Sequence, residues 1–258
     1  MAFATINYYS HALEQASAFN VIFPDSPDAK RPWGVYYALH GLSDDHTTWA
    51  RRTAMERYVL GYRMMVVMPN GGRGWYTNGV DGDPYEDDLI TQVLGMVDKN
   101  FPVRADRSGR AIGGISMGGF GAVKLGLKHP DLFASVDSQS GVLGFLREPV
   151  ESKAIAREFT RIFGDSPTDG PEDPYRLASE LSSRKRPALR IVVGEEDPFL
   201  SQNRAFHEHL QALEFAHEYE EHAGTHTWRF WDRHLQSAID FHRRNLGIPD
   251  DPKHALIR

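Results

Sequence analysis

Apolar residues fall along this chain in two alternating rhythms, short runs of strand length and longer segments with a 3.6-residue repeat. Ala18-Phe19-Asn20-Val21-Ile22-Phe23 is a strand-like run stopped by Pro24, and residues 25–32 read as a turn. Trp33 to Leu39 forms a second run ending at His40-Gly41, and Met64-Met65-Val66-Val67-Met68 a third, closed by Pro69. The third run is apolar throughout, so both its faces need covering, as inside a sheet packed between helices. Further strands are expected up to Ala111-Ile112 and over residues 133–138, 188–193 and 216–220. Between them, Glu86 to Phe101 carries Leu89, Ile90, Val93, Leu94 and Val97 at helical spacing. Helices are also expected over residues 119–128, over 203–213 with Phe206, Leu210 and Leu213 on one face, and over 235–244. Strands alternating with helices predict an α/β protein with a mostly parallel sheet and helices on both faces. Residues 141–183 break the alternation with the turn-rich stretch FGDSPTDGPEDP and one short helix near 154–163. They read as a cap or insertion within a single domain spanning 1–258.

Composition narrows the functional classes. The chain has 258 residues, 41% hydrophobic and 25% charged, an ordinary globular balance. Its net charge of −6 does not suit a nucleic-acid or anionic-membrane partner. Arg184-Lys185-Arg186 reads as solvated loop surface. There is no cysteine, which excludes disulfides, thiol nucleophiles and thiolate metal sites. No apolar run approaches a membrane span, and the N-terminus lacks the basic start and apolar core of a secretory signal. A cytoplasmic location is the expectation.

The chemistry concentrates at residues 109–121, GRAIGGISMGGFG, where Gly114-Ile115-Ser116-Met117-Gly118 fills the pattern G-x-S-x-G. A strand precedes it and helix-compatible residues follow from Phe120, the order needed for a serine at the tip of a sharp strand-to-helix turn. A serine hydroxyl needs an imidazole to take its proton and an acid to orient that imidazole. On this layout the chain order is serine, acid, histidine. Asp197 lies in the turn after the strand 188–193, with Glu195 and Glu196 as rivals in the same turn. Asp197 is favoured as the last acid before Pro198-Phe199. Among twelve histidines, His226 sits on a glycine-containing loop between the last strand and the last helix. His40 reads as part of the site wall, and His217, His222, His234 and His242 as surface or packing residues. An oxyanion hole needs two backbone N–H groups. Met117, after the serine, and Leu42, in the loop His40-Gly41-Leu42-Ser43-Asp44, are the candidates. The acid-rich stretches 81–88 and 165–173 lack the ordered calcium-loop pattern, so no metal is expected. Glu86, Asp87 and Asp88 read instead as first-turn charges favouring a helix N-terminus.

These pieces together resemble the putative-esterase family of α/β-hydrolases. That family includes S-formylglutathione hydrolases, feruloyl and acetylxylan esterases and mycolyltransferases, with bacterial tributyrin esterases as the nearest likeness. The resemblance runs from Ile6-Asn7-Tyr8-Tyr9-Ser10 and Phe19-Asn20-Val21 through Leu39-His40-Gly41-Leu42 and Met68-Pro69-Asn70-Gly71. It continues through Trp75-Tyr76-Thr77-Asn78, Gly114 to Gly119, Gly194 to Asp197 and His226-Thr227-Trp228. It implies an α/β-hydrolase fold, Ser116, Asp197 and His226 as catalytic residues, and Leu42 and Met117 in the oxyanion hole. It also implies a pocket lined by Asn70 to Asn78. Asn70, Trp75, Tyr76 and Trp228 are its candidate substrate-binding residues, although Trp75 and Tyr76 read equally well as a packed pair anchoring a glycine-rich loop. No cofactor is implied, the partner is a small-molecule ester, and a homo-oligomer is suggested.

The expected reaction is hydrolysis of short-chain acyl esters through an acyl-enzyme. Alternatives are a feruloyl or acetyl-sugar esterase, an S-formylglutathione hydrolase-like thioesterase or acyltransferase, and an inactive hydrolase-fold binding protein. Ser43 stands near where S-formylglutathione hydrolases carry a cysteine, which counts against the glutathione reading.

Overall fold

The computed structural model describes residues 1–26, 30–148 and 153–249. Part of the turn expected over 25–32, part of the 141–183 insertion and the C-terminal end of the expected domain lie outside the described residues. Eight strands form one sheet: β1 Ala2–Ser10, β2 Gln15–Phe23, β3 Gly34–Leu39, β4 Met64–Met68, β5 Arg110–Ile115, β6 Ser135–Gln139, β7 Ala188–Gly194 and β8 Glu218–His222. Their spatial order is β1-β2-β4-β3-β5-β6-β7-β8. β1 pairs antiparallel with β2 and β2 antiparallel with β4, whereas β4 through β8 run parallel.

The period-2 geometry of a strand sorts side chains between two cores. Val35, Tyr37 and Leu39 of β3, with Met65 and Val67 of β4, face one core; Tyr36, Ala38, Met64, Val66 and Met68 face the other. The second core is closed by α1 Thr48–Arg52, α2 Met55–Val59 and α9 Trp228–Asn245, through Trp49, Met55, Val59, Leu235 and Ile239. The first is closed by a helical run from Tyr85 to Asn100 (α3 Tyr85–Asp87, a π-helical stretch Asp88–Val93, then α4 Leu94–Asn100). It is closed also by α5 Met117–Lys128, α6 Lys153–Phe163, α7 Pro174–Glu180 and α8 Leu200–Ala212.

Several elements differ from the sequence expectation. β1 was not expected. It alternates between half-buried Ala4, Ile6 and Tyr8 and exposed Phe3, Thr5 and Asn7, the pattern of an edge strand with one face on the core. The short helices α1 and α2, and α7 within the segment expected to be an insertion, were not expected either. The first-turn carboxylates do more than complement a helix end. Glu86 is buried and pairs with Lys124, Lys128 and His129. Asp88 is buried and accepts hydrogen bonds from the Tyr8 and Ser10 hydroxyls, tying β1 to the helix. Asp173, in the second acidic stretch, caps α7 by accepting from Tyr175 N–H and pairs with Arg147. Among the described residues, no group of three His, Asp or Glu side chains could hold a metal ion, and no helix is long and apolar enough to cross a membrane.

Candidate active site

The parallel strands all end on one edge of the sheet, where open α/β sheets carry their sites. At the end of β5 the chain reverses through Ser116, whose φ of 53° and ψ of −118° form a sharp turn into α5. That turn needs bare neighbours. A Cβ on Gly114 would lie 2.6 Å from Gly118 and from the Leu39 carbonyl, and one on Gly118 only 2.3 Å from that carbonyl. The glycines therefore let α5 press against the end of β3, which brings the 40–44 loop beside the serine. A Cβ on Gly41 would lie 3.6 Å from Ser116 Cβ.

Ser116, Asp197 and His226 meet. His226 Nε2 is 3.0 Å from Ser116 Oγ, and His226 Nδ1 is 3.0 Å and 3.2 Å from the two Asp197 oxygens. The carboxylate only accepts, so Nδ1 carries the proton and Nε2 is free to accept from the serine. Glu195 and Glu196 are exposed, whereas Asp197 is 5% exposed. Burial pushes the Asp197 carboxyl up, but hydrogen bonds from His226, the Phe199 N–H and the Ser140 hydroxyl outweigh it, so its pKa is lowered and it stays ionised. The His226 ring is packed edge-on between Phe199 (5.0 Å) and Trp231 (4.9 Å). Trp231 Nε1–H donates to Ser140 Oγ at 3.1 Å. Ser140 and Trp231 thus support the acid and the imidazole, and sequence reasoning missed both. The only signal for Ser140 was its place beside Gly141 at the end of a strand.

The two oxyanion candidates flank the serine. Met117 is the first residue of α5, so its N–H has no acceptor within the helix. Leu42 lines the same cavity as Ser116 and His226, about 420 Å³ in volume, together with Gly41, Asp44, Thr227, Trp228 and Trp231. His40 is buried behind this loop. Nδ1–H donates to Gly41 O (2.8 Å) and Nε2 accepts from Gly71 N–H (2.9 Å), which fixes a neutral tautomer. Of the expected substrate-binding residues, Trp228 lines the cavity and is partly exposed. Trp75 and Tyr76 are 4% and 1% exposed. Trp75 stacks on Phe145 at 4.6 Å, and the Tyr76 hydroxyl donates to His40 O at 3.1 Å. Both are packed in the wall behind the loop, the arrangement of an anchoring pair. Asn70 accepts from Gly72 N–H and shapes the same loop. Among the other histidines, His242 is buried against Ser135, His217 pairs with His207, and His222 stacks on His234.

An eight-stranded, mostly parallel sheet with a strained serine turn at its central strand defines an α/β-hydrolase. The sequence profile of the family described as "Putative esterase" matches residues 10–242, and the chain belongs to that family. An acetyl esterase from Caldicellulosiruptor saccharolyticus is 26% identical over 93% of this chain and 98% of its own length. Among solved structures, the fluorophosphonate-binding serine hydrolase FphF of Staphylococcus aureus superposes with a TM-score of 0.84 at 28% identity, over 97% of this chain and 99% of that one. An S-formylglutathione hydrolase (FrmB) from the same organism gives 0.81 at 28% identity, over 93% and 97%. The chain is a serine esterase, a carboxylic ester hydrolase.

Proposed function

We propose that the esterase works through a Ser116–His226–Asp197 triad on short-chain acyl esters, as a tributyrin-type carboxylesterase. The observation that carries this reading is the continuous hydrogen-bond path from Ser116 Oγ through both imidazole nitrogens to a buried, ionised Asp197. Ser116 Oγ attacks the ester carbonyl as its proton passes to His226 Nε2. The carbonyl electrons move onto oxygen, which the Leu42 and Met117 N–H groups receive. On collapse the C–O bond to the alcohol breaks and His226 gives its proton to the departing oxygen. Water then attacks the acyl-enzyme by the same route in reverse, releasing the acid and restoring Ser116.

A short acyl group is supported by the filling of the space behind the serine turn. Phe120 of α5 packs edge-on against Trp75 and Phe163, and Phe159 joins Phe145 and Phe163. In this reading the described parts of the segment 141–183, residues 141–148 and 153–183, act as the cap that limits the acyl site. Trp228 in the open cavity supports a second reading, an aromatic ester held on its alcohol or acid half. The test is kcat/KM for acetyl, butyryl, octanoyl and methyl feruloyl esters with wild type and Ser116→Ala. A steep short-chain preference lost in the variant is expected. A feruloyl preference moves the assignment to phenolic esters, and equal activity in both proteins rules out Ser116 as nucleophile.

A further inference from the structure

The cavity at Ser116 holds one carboxylate that the triad does not use. Asp44 lines it alongside Leu42, His226, Trp228 and Trp231. The position a Gly41 Cβ would take lies 3.2 Å from Asp44 Oδ2 and 3.6 Å from Ser116 Cβ, so the carboxylate and the serine both border Gly41. Asp44 forms no ion pair among the described residues. Arg52 and Asp45 act on it as more distant charges, of opposite sign, and the Gly41 backbone and Thr48 hydroxyl are its nearest polar company. The buried carboxylates Asp173 and Asp137, by contrast, each have an arginine. Asp44 faces the cavity with the Gly41 N–H and the Thr48 hydroxyl as its hydrogen-bond partners and no arginine or lysine paired to it.

The side of the cavity identifies what it meets. In the reaction proposed above, His226 protonates the oxygen that leaves with the alcohol. The cavity wall continues from His226 through Thr227 to Trp228 and Trp231, so the alcohol half stands against this wall. Trp228 touches Trp49 and Trp231 edge-on, at 5.4 and 5.3 Å, and keeps part of its ring exposed. A carboxylate beside a partly open indole receives a cationic or hydrogen-bond-donating head group and repels an anionic one.

We propose that Asp44 sets the charge selectivity of the alcohol side, so that this esterase takes esters whose alcohol carries a positive or hydrogen-bond-donating head group and discriminates against carboxylate-bearing alcohols and thiols such as glutathione. The proposal rests on the triad reading. Its test compares kcat/KM for three acetates of similar size: choline acetate, its neutral carbon isostere 3,3-dimethylbutyl acetate, and the anion 4-acetoxybutanoate. Wild type is expected to rank cation above neutral above anion. Asp44→Asn keeps the shape and an acceptor oxygen, and is expected to lower the cation-to-neutral ratio about fivefold. Asp44→Ser, smaller and uncharged, should lower it likewise. An unchanged ratio in both variants, or a wild-type preference for the anion, overturns the proposal. So does a ratio that responds only when the charge is moved to the acid half, as in methyl 4-trimethylammoniobutyrate. Failure of the underlying reading looks different: turnover of the neutral acetate survives Ser116→Ala.

Discussion

Replacing Lys124 with methionine removes a cation with no exposed surface from the helix that follows the serine. Its Nζ lies 2.7 Å from Glu86 and 3.0 Å from Glu172, and donates to the Tyr76 carbonyl and the Thr77 hydroxyl. Removing one partner of a buried pair costs about 3–5 kcal/mol, because the other charge is left uncompensated. Glu86 keeps Lys128 at 2.9 Å and His129 at 2.8 Å, and methionine keeps most of the volume, so the lower end, about 3 kcal/mol, applies. Urea unfolding at pH 7 reads this as a lower midpoint at unchanged slope. The loss should also depend on pH. Burial pushes the Glu86 carboxyl up, but the hydrogen bond from His129 and the charge and hydrogen bond of Lys124 pull it well below the ordinary carboxylate range. A depressed carboxylate stabilises the fold fully above its unfolded pKa of about 4.3, and that contribution fades as pH falls towards the folded value. The gap between wild type and variant should therefore be full above about pH 5 and narrow below about pH 4. A gap under about 1 kcal/mol, or one constant from about pH 7 to 3, refutes the assignment of Lys124 as the counter-charge of Glu86.

Other perturbations test the serine turn and its supports. Ser116→Gly and Ser116→Ala should both be inactive, but the glycine variant should be about 1 kcal/mol more stable by thermal unfolding, because φ of 53° strains any residue with a Cβ; equal stabilities would show that the turn carries no strain. Gly118→Ala should cost about 3 kcal/mol in the same assay, since its Cβ would meet the Leu39 carbonyl at 2.3 Å and backbone cannot yield there. Trp231→Phe keeps the ring edge against His226 but deletes the 3.1 Å bond to Ser140, so kcat/KM should fall about fivefold, an effect absent if Ser140 needs no fixing. Burial, with Arg190 nearby, lowers the His242 pKa to about 3. A lowered histidine stabilises the fold above its unfolded pKa of about 6.5 and less as pH falls, so wild type should lose about 1.4 kcal/mol per pH unit more than His242→Phe between about pH 6 and 4; parallel pH curves would remove His242 from the account.

The parts of this fold legible in the sequence are those where side-chain chemistry repeats. Met64–Met68 reads as a covered strand because every position is apolar, and both of its faces are indeed buried. Leu89, Val93, Leu94 and Val97 mark a helix that the π-helical stretch shifts but does not break. β1 was missed because half its residues face outward and its inward set, Ala4, Ile6 and Tyr8, is modest in apolar content. The meeting of Ser116, Asp197 and His226 was legible from chain order, because consecutive parallel strands must end on one edge. Choosing Asp197 over Glu195 and Glu196 had weaker grounds in the sequence. In the structure the difference is burial, which depends on how the turn packs on Ser140 and Phe199.

The loops that follow the central strands share one physical feature. Ser43, Trp75, Tyr76, Ser116 and Ser140 all have positive φ without being glycine, and each lies in the segment that follows β3, β4, β5 or β6. Such a conformation costs of order 1–3 kcal/mol and persists only when the surroundings hold it. Those restraints are long-range. The Tyr76 carbonyl is held by Lys124, the Ser43 hydroxyl by Arg73, which also clamps Glu158 of α6, and the Ser140 hydroxyl by Trp231. Ser116 betrayed itself because the contacts that hold its turn demand glycines at fixed offsets, a mark that survives in sequence. Ser43, Tyr76 and Ser140 are held by side chains from distant parts of the chain, and Trp75 by the rings of Phe120, Phe145 and Phe163, contacts that leave no local pattern. Strain at the strand ends is thus spread over several loops. In each of these four loops the side chain or backbone turned by the strain supports the serine turn, the 40–44 loop or Asp197.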